Sequence, residues 1–421
     1  MPPAKSVWDG KPEPDIKLIE KIARRCLHIE GKDPCDVKFP PWVPTPGVAI
    51  KVYTIKANGR EFTIDVWPGA LPEAIQSRAA TTHWLQDNTT VPVMPYFCSE
   101  DAEDIELGLG WELQPSMASS HMAGNETLRL LGPHVWVQMS WGSKKKFVET
   151  LATYHTQLLD PSNRFKTVGS IFFGVDPELE TESSTADVAS KKADKRFYVR
   201  DLDDDLSRPP TSKFTDLIYS ELDGAIDGLS RCVSEGCDCE CEDCQTVKSE
   251  IAVGKRLREK IAQILPPEID SITETVIELP PLQEKMLVVD RKGEIGEIKQ
   301  ASHASTVPIW RAYQLPYVLL GSERLEVPAE NAPNYRAKYI EWYKTKLRDV
   351  YLERMEMLHP GFQKKLKEYQ PLNDISWLTL KCGFSPAMAG DVEDWLDGME
   401  KGNHCSLRNK LFEHEDLSLW S

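Results

Sequence analysis

Cysteine thiols are the densest group of potential metal ligands in this chain. Five of its ten cysteines, Cys232, Cys237, Cys239, Cys241 and Cys244, are crowded into one acidic segment. Four of them, from Cys237 onward, supply enough sulfur for a tetrahedral zinc site. The tight Cys-x-Cys-x-Cys spacing does not suit such a site, and the interleaved acidic residues raise thiol pKa values. We therefore interpret the segment as a solvated insertion, with zinc or another soft metal as the alternative.

Histidines provide the second kind of reactive side chain, and the nine of this chain are spread without ligand spacing. His155 falls within a helical apolar pattern, which predicts a packed or capping residue rather than a catalytic base. His414, Glu415 and Asp416 adjoin one another in a charged tail, where surface duty is the simpler interpretation.

Composition and charge limit the classes of partner. The 421 residues are 41% hydrophobic and 28% charged, which is typical of a globular protein. A formal net charge of −16 disfavours nucleic acid and anionic membrane surfaces as partners. The sequence contains neither a signal-peptide pattern nor a run of roughly 18 apolar residues. We therefore expect a cytoplasmic protein that binds neither nucleic acid nor membrane.

The first third of the chain predicts a mixed α and β lobe. An amphipathic helix is expected over residues 15–28, and alternating apolar residues around Asn58-Gly59 predict a β-hairpin over 48–66. A helix over 72–86 and two strands, 91–97 and 107–113, complete the pattern.

The rest of the chain predicts mainly helices. They are expected at 143–159, with Ser140 as a cap, at 213–230, 251–265 and 335–357, and in the C-terminal stretch at 362–368 and 391–401. A short hairpin over 286–298 is turned by residues 290–293. Tryptophans 136, 141, 310 and 342 are expected to be packed.

These patterns divide the chain into three regions. Residues 1–113 form the predicted N-terminal lobe, and residues 114–359 form a helical C-terminal lobe. The second lobe carries a flexible loop at 176–210, which lacks an apolar period, and the acidic cysteine-rich insertion at 232–244. Residues 360–421 are predicted to be a helical extension.

The order of elements over residues 15–357 resembles the kinase-like fold of the aminoglycoside phosphotransferase family, particularly its large fungal branch. Several phrases carry this resemblance: Ala79-Ala80-Thr81-Thr82-His83-Trp84-Leu85, Met139-Ser140-Trp141, Leu151-Ala152-Thr153-Tyr154-His155-Thr156-Gln157-Leu158, Val168-Gly169-Ser170-Ile171 and Val307-Pro308-Ile309-Trp310-Arg311-Ala312-Tyr313-Gln314-Leu315-Pro316. The resemblance implies an α+β, two-lobed protein-kinase-like fold with a small β-containing N-terminal lobe and a mainly helical C-terminal lobe.

The resemblance also implies where the catalytic loop of an active relative would fall. Its His-x-Asp-x-x-x-x-Asn pattern aligns with Leu279, Pro281 and Met286, and its second magnesium-holding Asp aligns with Gln300. Proline has no side chain that can accept a proton, and hard Mg²⁺ does not choose a thioether over oxygen. We therefore call these four positions degenerate.

The small lobe of an active relative presents a Lys or Arg to the nucleotide phosphates and pairs it with a Glu on the next helix. Those two positions align with Asp65 and Arg78, so the charges are exchanged. An Asp facing phosphates would repel them, whereas an Asp65–Arg78 pair would brace helix against strand. The alternative is that both residues lie at the surface, unpaired.

The leading interpretation is an aminoglycoside phosphotransferase-like pseudokinase that binds an unknown protein or small-molecule ligand and uses no cofactor. A second interpretation is an active ATP-dependent small-molecule phosphotransferase with displaced catalytic carboxylates, for which Glu284 and Asp290 are the candidates, and with ATP and Mg²⁺ as cofactors. A third is a different reaction at the same place.

Overall fold

The structure is a computed structural model, and the residues it describes are 15–39, 51–57, 59–67, 73–98, 110–115, 129–165, 168–173, 197–200, 214–234, 242–265, 269–271, 274–380 and 386–401. The α-helices of these residues are α1 Ile16–Cys26, α2 Glu73–Asn88, α3 Pro133–Gln138, α4 Trp141–Leu158, α5 Phe214–Ser234, α6 Glu242–Ile264, α7 Ile309–Ala312, α8 Tyr335–Leu358, α9 Phe362–Leu380 and α10 Pro386–Glu400.

The strands lie mostly in the first half of the chain and around residue 290. They are β1 Cys35–Lys38, β2 Lys51–Ala57, β3 Arg60–Trp67, β4 Phe97–Cys98, β5 Gly110–Pro115, β6 Arg129–Leu130, β7 Ser170–Phe173, β8 Phe197–Arg200, β9 Thr275–Glu278, β10 Leu287–Val289, β11 Ile295–Ile298 and β12 Ser305–Pro308.

The chain forms two compact units. The first comprises residues 1–147, 169–204 and 283–305, and the second comprises 148–168, 205–282 and 306–421. The first contains most of the strands and the second most of the helices, so the predicted α+β class is confirmed. The boundaries expected at residues 113 and 359 stay predictions.

A five-stranded antiparallel sheet, in the order β1-β2-β3-β5-β4, is the centre of the first unit. One face is apolar because side chains alternate along a strand. Phe62, Ile64 and Val66 of β3 lie on that face and pack against Ile19 and Ile22 of α1. The hairpin and the leader helix predicted from the sequence are thus confirmed, and Asp15 caps the helix by accepting a hydrogen bond from Lys17 N at 3.0 Å.

A second element of the first unit is the β10–β11 hairpin, which was also predicted. Strand β10 pairs with β11 on one side and with β6 on the other. The backbone N–H of Ile298 donates to Pro92 O at 2.9 Å. The short strand β6, which the sequence did not predict, thus extends this hairpin into a three-stranded sheet.

A hydrophobic core of the second unit is built from four long helices together with Trp310 of the short helix α7. Ile218 and Leu222 of α5 pack with Leu257 of α6, Ile375 of α9 and Trp395 of α10. The predicted helices in this region are therefore confirmed, including those of the C-terminal stretch. Trp395 is fully buried there.

Several sequence-based expectations were wrong in detail. Residues 91–96 are not a strand, because Val93 N–H turns back to Val91 O and the flanking prolines have no N–H for a ladder. The side chain of Trp141 is 43% exposed instead of packed. Helix α9 runs through Pro371 to Leu380 because burial of apolar residues on both sides of the proline outweighs one missing hydrogen bond.

The helix α8 was predicted at the right place with a different buried stripe. The sequence recurrence predicts a stripe of Tyr339, Tyr343, Leu347 and Val350. Leu347 is fully buried as predicted, whereas the other three are half-buried. Ile340 and Tyr351 are buried in addition. No helix in the parts of the chain that the structure describes has the length and apolar character needed to cross a bilayer.

We predict that Gly293→Ala destabilises the first unit strongly. Gly293 has a φ of 81°, and a Cβ added there would lie 2.0 Å from the backbone oxygen of Ser143 in α4. Gly59 has a similar φ of 72° with nothing within 4 Å of an added Cβ. Gly59→Ala should therefore cost only the roughly 1–2 kcal/mol of a left-handed residue, whereas Gly293→Ala should cost at least about 3 kcal/mol because steric overlap is added.

Denaturant unfolding of the two variants measures this difference. Equal losses in the free energy of unfolding would show that the close approach of the hairpin turn to α4 does not exist.

Candidate functional site

Two carboxylates face each other across neighbouring strands of the five-stranded sheet. Asp65 of β3 lies directly opposite Glu112 of β5 in the antiparallel register. Residues opposite each other project from the same face, with Cβ atoms about 5 Å apart. This face is the one that α1 does not cover, since Ile64 and Val66 on either side of Asp65 point to the apolar core.

The Asp65–Glu112 pair is covered by protein rather than by water. Tyr96 packs with Ile75 and Ala79 of α2, and its hydroxyl donates a hydrogen bond to the Glu112 carboxylate. Glu112 is 4% exposed and Tyr96 is 6% exposed, and Asp65 is half-buried. The Oδ1 atom of Asp65 is buried and has no hydrogen-bond partner among the described residues.

Burial changes the titration of both acids, and repulsion by Asp65 acts in addition on Glu112. Burial raises the pKa of Asp65 to about 6. Burial also raises the pKa of Glu112 to about 7, and the negative charge of Asp65 raises it further while the positive charge of Arg78 opposes the rise. Each carboxyl is therefore harder to ionise than in water, and the state in which both are ionised is the least favourable because the two negative charges repel each other.

Arg78 of α2 lies close to Glu112 rather than to Asp65. Its charge lowers the pKa of Glu112, whereas the pKa of Asp65 responds to burial alone. Within the described residues no ion pair joins Arg78 to Asp65, and both of these predicted partners instead act on the pKa of Glu112, in opposite directions. The pKa of His303 is lowered by loss of hydration and by the same Arg78 charge.

This arrangement disfavours a phosphate chain at the position of Asp65. An ionised pair repels phosphate oxygens, and a protonated pair offers no positive charge to attract them. The nearby positive charge of Arg78 is offset by Glu112. The chemistry that remains is proton uptake and release by two buried carboxyls.

The segment that follows β9 contains two of the predicted degenerate positions. Leu279 is half-buried and Pro281 is exposed. The residue before them, Glu278, is a carboxylate that ends β9, but its oxygens are engaged. One lies 2.8 Å from Arg311 Nε in an ion pair, and the other accepts a hydrogen bond from Gln314.

The other two degenerate positions flank the β10–β11 hairpin in the first unit. The backbone oxygen of Met286 accepts a hydrogen bond from Lys299 N at 2.7 Å. Gln300 follows at once, is exposed and has a left-handed φ of 60°. Its backbone oxygen accepts from His303 N at 2.9 Å, which starts a short 3₁₀ turn.

The carboxylates considered as substitutes have structural partners. Asp290 Oδ1 accepts from the backbone N–H groups of Lys292 and Glu294, both at 2.8 Å, and so closes the hairpin turn. Glu284 is 9% exposed. In the described part of the chain no three His, Cys, Asp or Glu residues are grouped as metal ligands are.

The cysteine cluster lies mostly outside the described residues. Cys237, Cys239 and Cys241 fall in an undescribed segment, whereas Cys232 is on α5 and Cys244 on α6. Both helices thus extend into the segment that was expected to be only a connection. The proposed flexible loop at 176–210 also falls outside the described residues, apart from β8.

His155 of α4 is held between two partners in the second unit. It accepts from the Tyr351 hydroxyl at Nδ1 and its Nε2–H donates to Ala312 O at 2.7 Å. Loss of hydration lowers its pKa to about 4. His155 is therefore a neutral packing residue, as predicted, and has no nitrogen left for catalysis.

Sequence reasoning missed Glu112, Tyr96 and Glu278. Glu112 sits between Trp111 and Leu113, so strand alternation placed it on a face expected to be wet. Only the packing of α2 over that face made it a buried acid.

Comparisons with known proteins give remote structural similarities only. An aminoglycoside-3'-phosphotransferase of type VIII is 14% identical, with a TM-score of 0.37, and covers 85% of this chain and 98% of its own. A putative aminoglycoside phosphotransferase from Ralstonia eutropha is 13% identical, with a TM-score of 0.38 and coverages of 91% and 95%. A Plasmodium vivax ethanolamine kinase is 10% identical, with a TM-score of 0.41 and coverages of 94% and 90%.

No family model and no curated protein matches the chain. The solved structures that resemble it are thus aminoglycoside phosphotransferases and related small-molecule kinases, at low identity. TM-scores below 0.5 carry no weight for this chain's activity.

We predict that Asp65→Asn makes the protein progressively more stable than wild type as pH rises from about 4 to 7. A folded-state pKa raised to about 6 means that the unfolded chain ionises first, so wild-type stability is lost as pH rises through this window. The asparagine removes that loss and the repulsion on Glu112. The gain at pH 7 over pH 4 should be about 2 kcal/mol.

Urea unfolding at several pH values measures the gain. Asp36→Asn on β1 is the matched control, because it removes the same charge from an exposed position. Its effect should stay within about 0.5 kcal/mol across the series. If the change in the free energy of unfolding followed pH in the same way in both variants, the pKa of Asp65 would not be raised in the folded chain.

Proposed function

We propose that this chain is a non-catalytic member of the aminoglycoside phosphotransferase family, of its large fungal branch, and that it acts by binding a protein or a small ligand. The Asp65–Glu112 pair is the observation that carries this proposal. A phosphotransferase needs a cation beside the nucleotide phosphates. The family resemblance aligns that position with Asp65, whose cross-strand neighbour Glu112 is a second carboxyl with a raised pKa.

The proposal that the chain does not hold Mg²⁺ for catalysis rests on the chemistry of the side chains at the aligned positions. Pro281, Met286 and Gln300 offer no anionic oxygen to Mg²⁺, which is normally held by carboxylates and phosphates. The nearest acidic candidates have other duties, since Asp290 closes a turn and Glu278 pairs with Arg311. A chain without a phosphate-binding cation or a metal-binding carboxylate lacks both means of stabilising phosphoryl transfer.

The proposal that the chain binds a protein or a small ligand rests on the intact packing of its two units. Both units have buried cores and well-packed helices although the catalytic positions are altered. A protein that keeps a kinase-like order of elements without the chemistry still offers surfaces for recognition.

We predict that ATP with Mg²⁺ does not stabilise the intact protein. A ligand at a hundredfold excess over its Kd adds about 2.7 kcal/mol, which would raise the Tm by several degrees. The expected result is a Tm that is the same with ATP, with Mg²⁺ and with both. Thermal unfolding followed by fluorescence measures it, with ADP and Mg²⁺ as a further arm.

A Tm increase that requires ATP and Mg²⁺ together would support an active phosphotransferase with displaced carboxylates. Asp290→Asn and Glu284→Gln would then identify the acid that holds the metal, because the increase should vanish in one of them. Lys292→Gln, an exposed neighbour in the same turn, is the control for a general change of charge.

The binding role has its own test. Affinity capture with the intact chain is compared with capture by a chain that lacks residues 176–196, so that β8 stays paired with β7. A partner retained by the first and lost from the second, and confirmed by titration with the purified partner, would place recognition on that loop. Turnover of a small molecule without any stable ligand would contradict the binding role.

A further inference from the structure

A group of positively charged and aromatic side chains in the second unit has no part in the function proposed above. Tyr313, His359, Lys365 and Arg164, which we call the Tyr313 cluster, come from four separate stretches of chain. Tyr313 is 1% exposed and follows α7, while the other three are half-buried. The cluster therefore joins a fixed buried phenol to basic groups that solvent can reach.

The hydrogen bonds of the Tyr313 hydroxyl fix the roles of its neighbours. Lys365 Nζ donates to it at 3.1 Å and lies 4.9 Å from the centre of its ring. The hydroxyl lies 2.9 Å from His359 Nε2. Because ammonium can only donate, the phenol oxygen accepts from Lys365 and its proton goes to His359. His359 is then neutral, with its proton on Nδ1.

The carboxylates near this cluster are already engaged. Glu356 accepts from Gly361 N at 2.7 Å and from Gln363 N at 2.9 Å, so both of its oxygens bind the start of α9. Glu274 pairs with Arg164 Nη1 at 2.5 Å. Neither acid neutralises Lys365, for which the described residues provide no ion pair.

Two observations indicate that the positive charge is excessive here. Arg164 Nε is buried and has no hydrogen-bond partner among the described residues. The pKa of His359 is lowered by loss of hydration and by the charges of Lys365 and Arg164, and it is raised by the charge of Glu356. A buried donor without a partner, such as Arg164 Nε, is costly unless an acceptor satisfies it. The ammonium of Lys365 donates to the Tyr313 hydroxyl and has further N–H groups to offer an anion.

We propose that the Tyr313 cluster binds a tetrahedral oxyanion, the phosphate group of a small molecule, through Lys365, His359 and Arg164. A phosphate presents several acceptor oxygens, which suits an ammonium, a guanidinium and an imidazole from different directions. Tyr313 holds Lys365 and His359 in place. This site does not depend on whether phosphoryl transfer occurs elsewhere in the chain.

Sulfate is the first probe, because it keeps its full charge over the pH range in which His359 titrates. Thermal unfolding of the full chain is measured against sulfate concentration, with chloride at equal ionic strength as the reference. Lys365→Gln removes one ligand, and Lys364→Gln removes the same charge from the exposed neighbouring position. General salting-out by sulfate acts equally on both variants.

The expected result is saturable stabilisation of wild type and Lys364→Gln, and an apparent Kd about tenfold weaker in Lys365→Gln. Wild-type affinity should also rise as pH falls, because a bound anion favours protonated His359. Inorganic phosphate should act like sulfate, whereas acetate should not, which separates a phosphate group from a carboxylate.

Equal responses of Lys364→Gln and Lys365→Gln would overturn the proposal, as would a wild-type response no larger with sulfate than with chloride. If Lys365→Gln fails to fold, as judged by circular dichroism, His359→Asn replaces it. That variant should weaken sulfate binding and abolish its pH dependence, and an unchanged pH dependence would equally overturn the proposal.

Discussion

Two like charges opposite each other across β3 and β5 constrain the whole of the first unit. Asp65 and Glu112 cannot both ionise without cost, yet Glu112 is buried on the side of the sheet where α2 packs and Asp65 is half-buried opposite it. The sheet can hold them there because its other face is fully apolar and is buried against α1. Tyr96 packs against α2 and donates a hydrogen bond to Glu112. The electrostatic cost of the two acids therefore falls on two strands that are joined by backbone hydrogen bonds.

In the second unit most of the polar side chains described above have hydrogen-bond or ion-pair partners. His155, Glu278 and Arg311 each have well-defined partners, and a buried hydrogen-bonded network fixes the packing of helices around it. Side chains that could serve a reaction are thus used for structure. The Tyr313 cluster is the exception, since Lys365 has no acidic partner in the described residues, although Arg164 is paired with Glu274.

Much of the fold could be predicted from local patterns. The leader helix, the hairpin around Gly59 and the hairpin ending at Ile298 were predicted because their periodicity and turn residues act over short range. The structure of residues 91–96 and the continuation of α9 beyond Pro371 were not predicted. At both places the packing of the folded chain, and not the local preference around a proline, determines the backbone conformation.

The candidate site was harder to predict for the same reason. Asp65 and Arg78 were singled out through the family resemblance, but both act electrostatically on Glu112. The register of β3 and β5 places Glu112 opposite Asp65, and the sequence does not show that register. Likewise, no spacing in the sequence shows that Tyr313, His359 and Lys365 meet, because they lie on separate elements whose packing brings them together. Long-range contacts of this kind need the three-dimensional structure.

The raised pKa values of Asp65 and Glu112 affect the heat of unfolding as well. Near pH 6 the folded chain retains protons on these carboxyls that the unfolded chain gives up. Unfolding therefore releases protons to the buffer, whose own ionisation enthalpy enters the calorimetric signal. Enthalpies recorded in two buffers of different ionisation heat report the net number of protons exchanged. That number combines release by these two carboxyls with uptake by His155, whose pKa is lowered to about 4 in the folded chain.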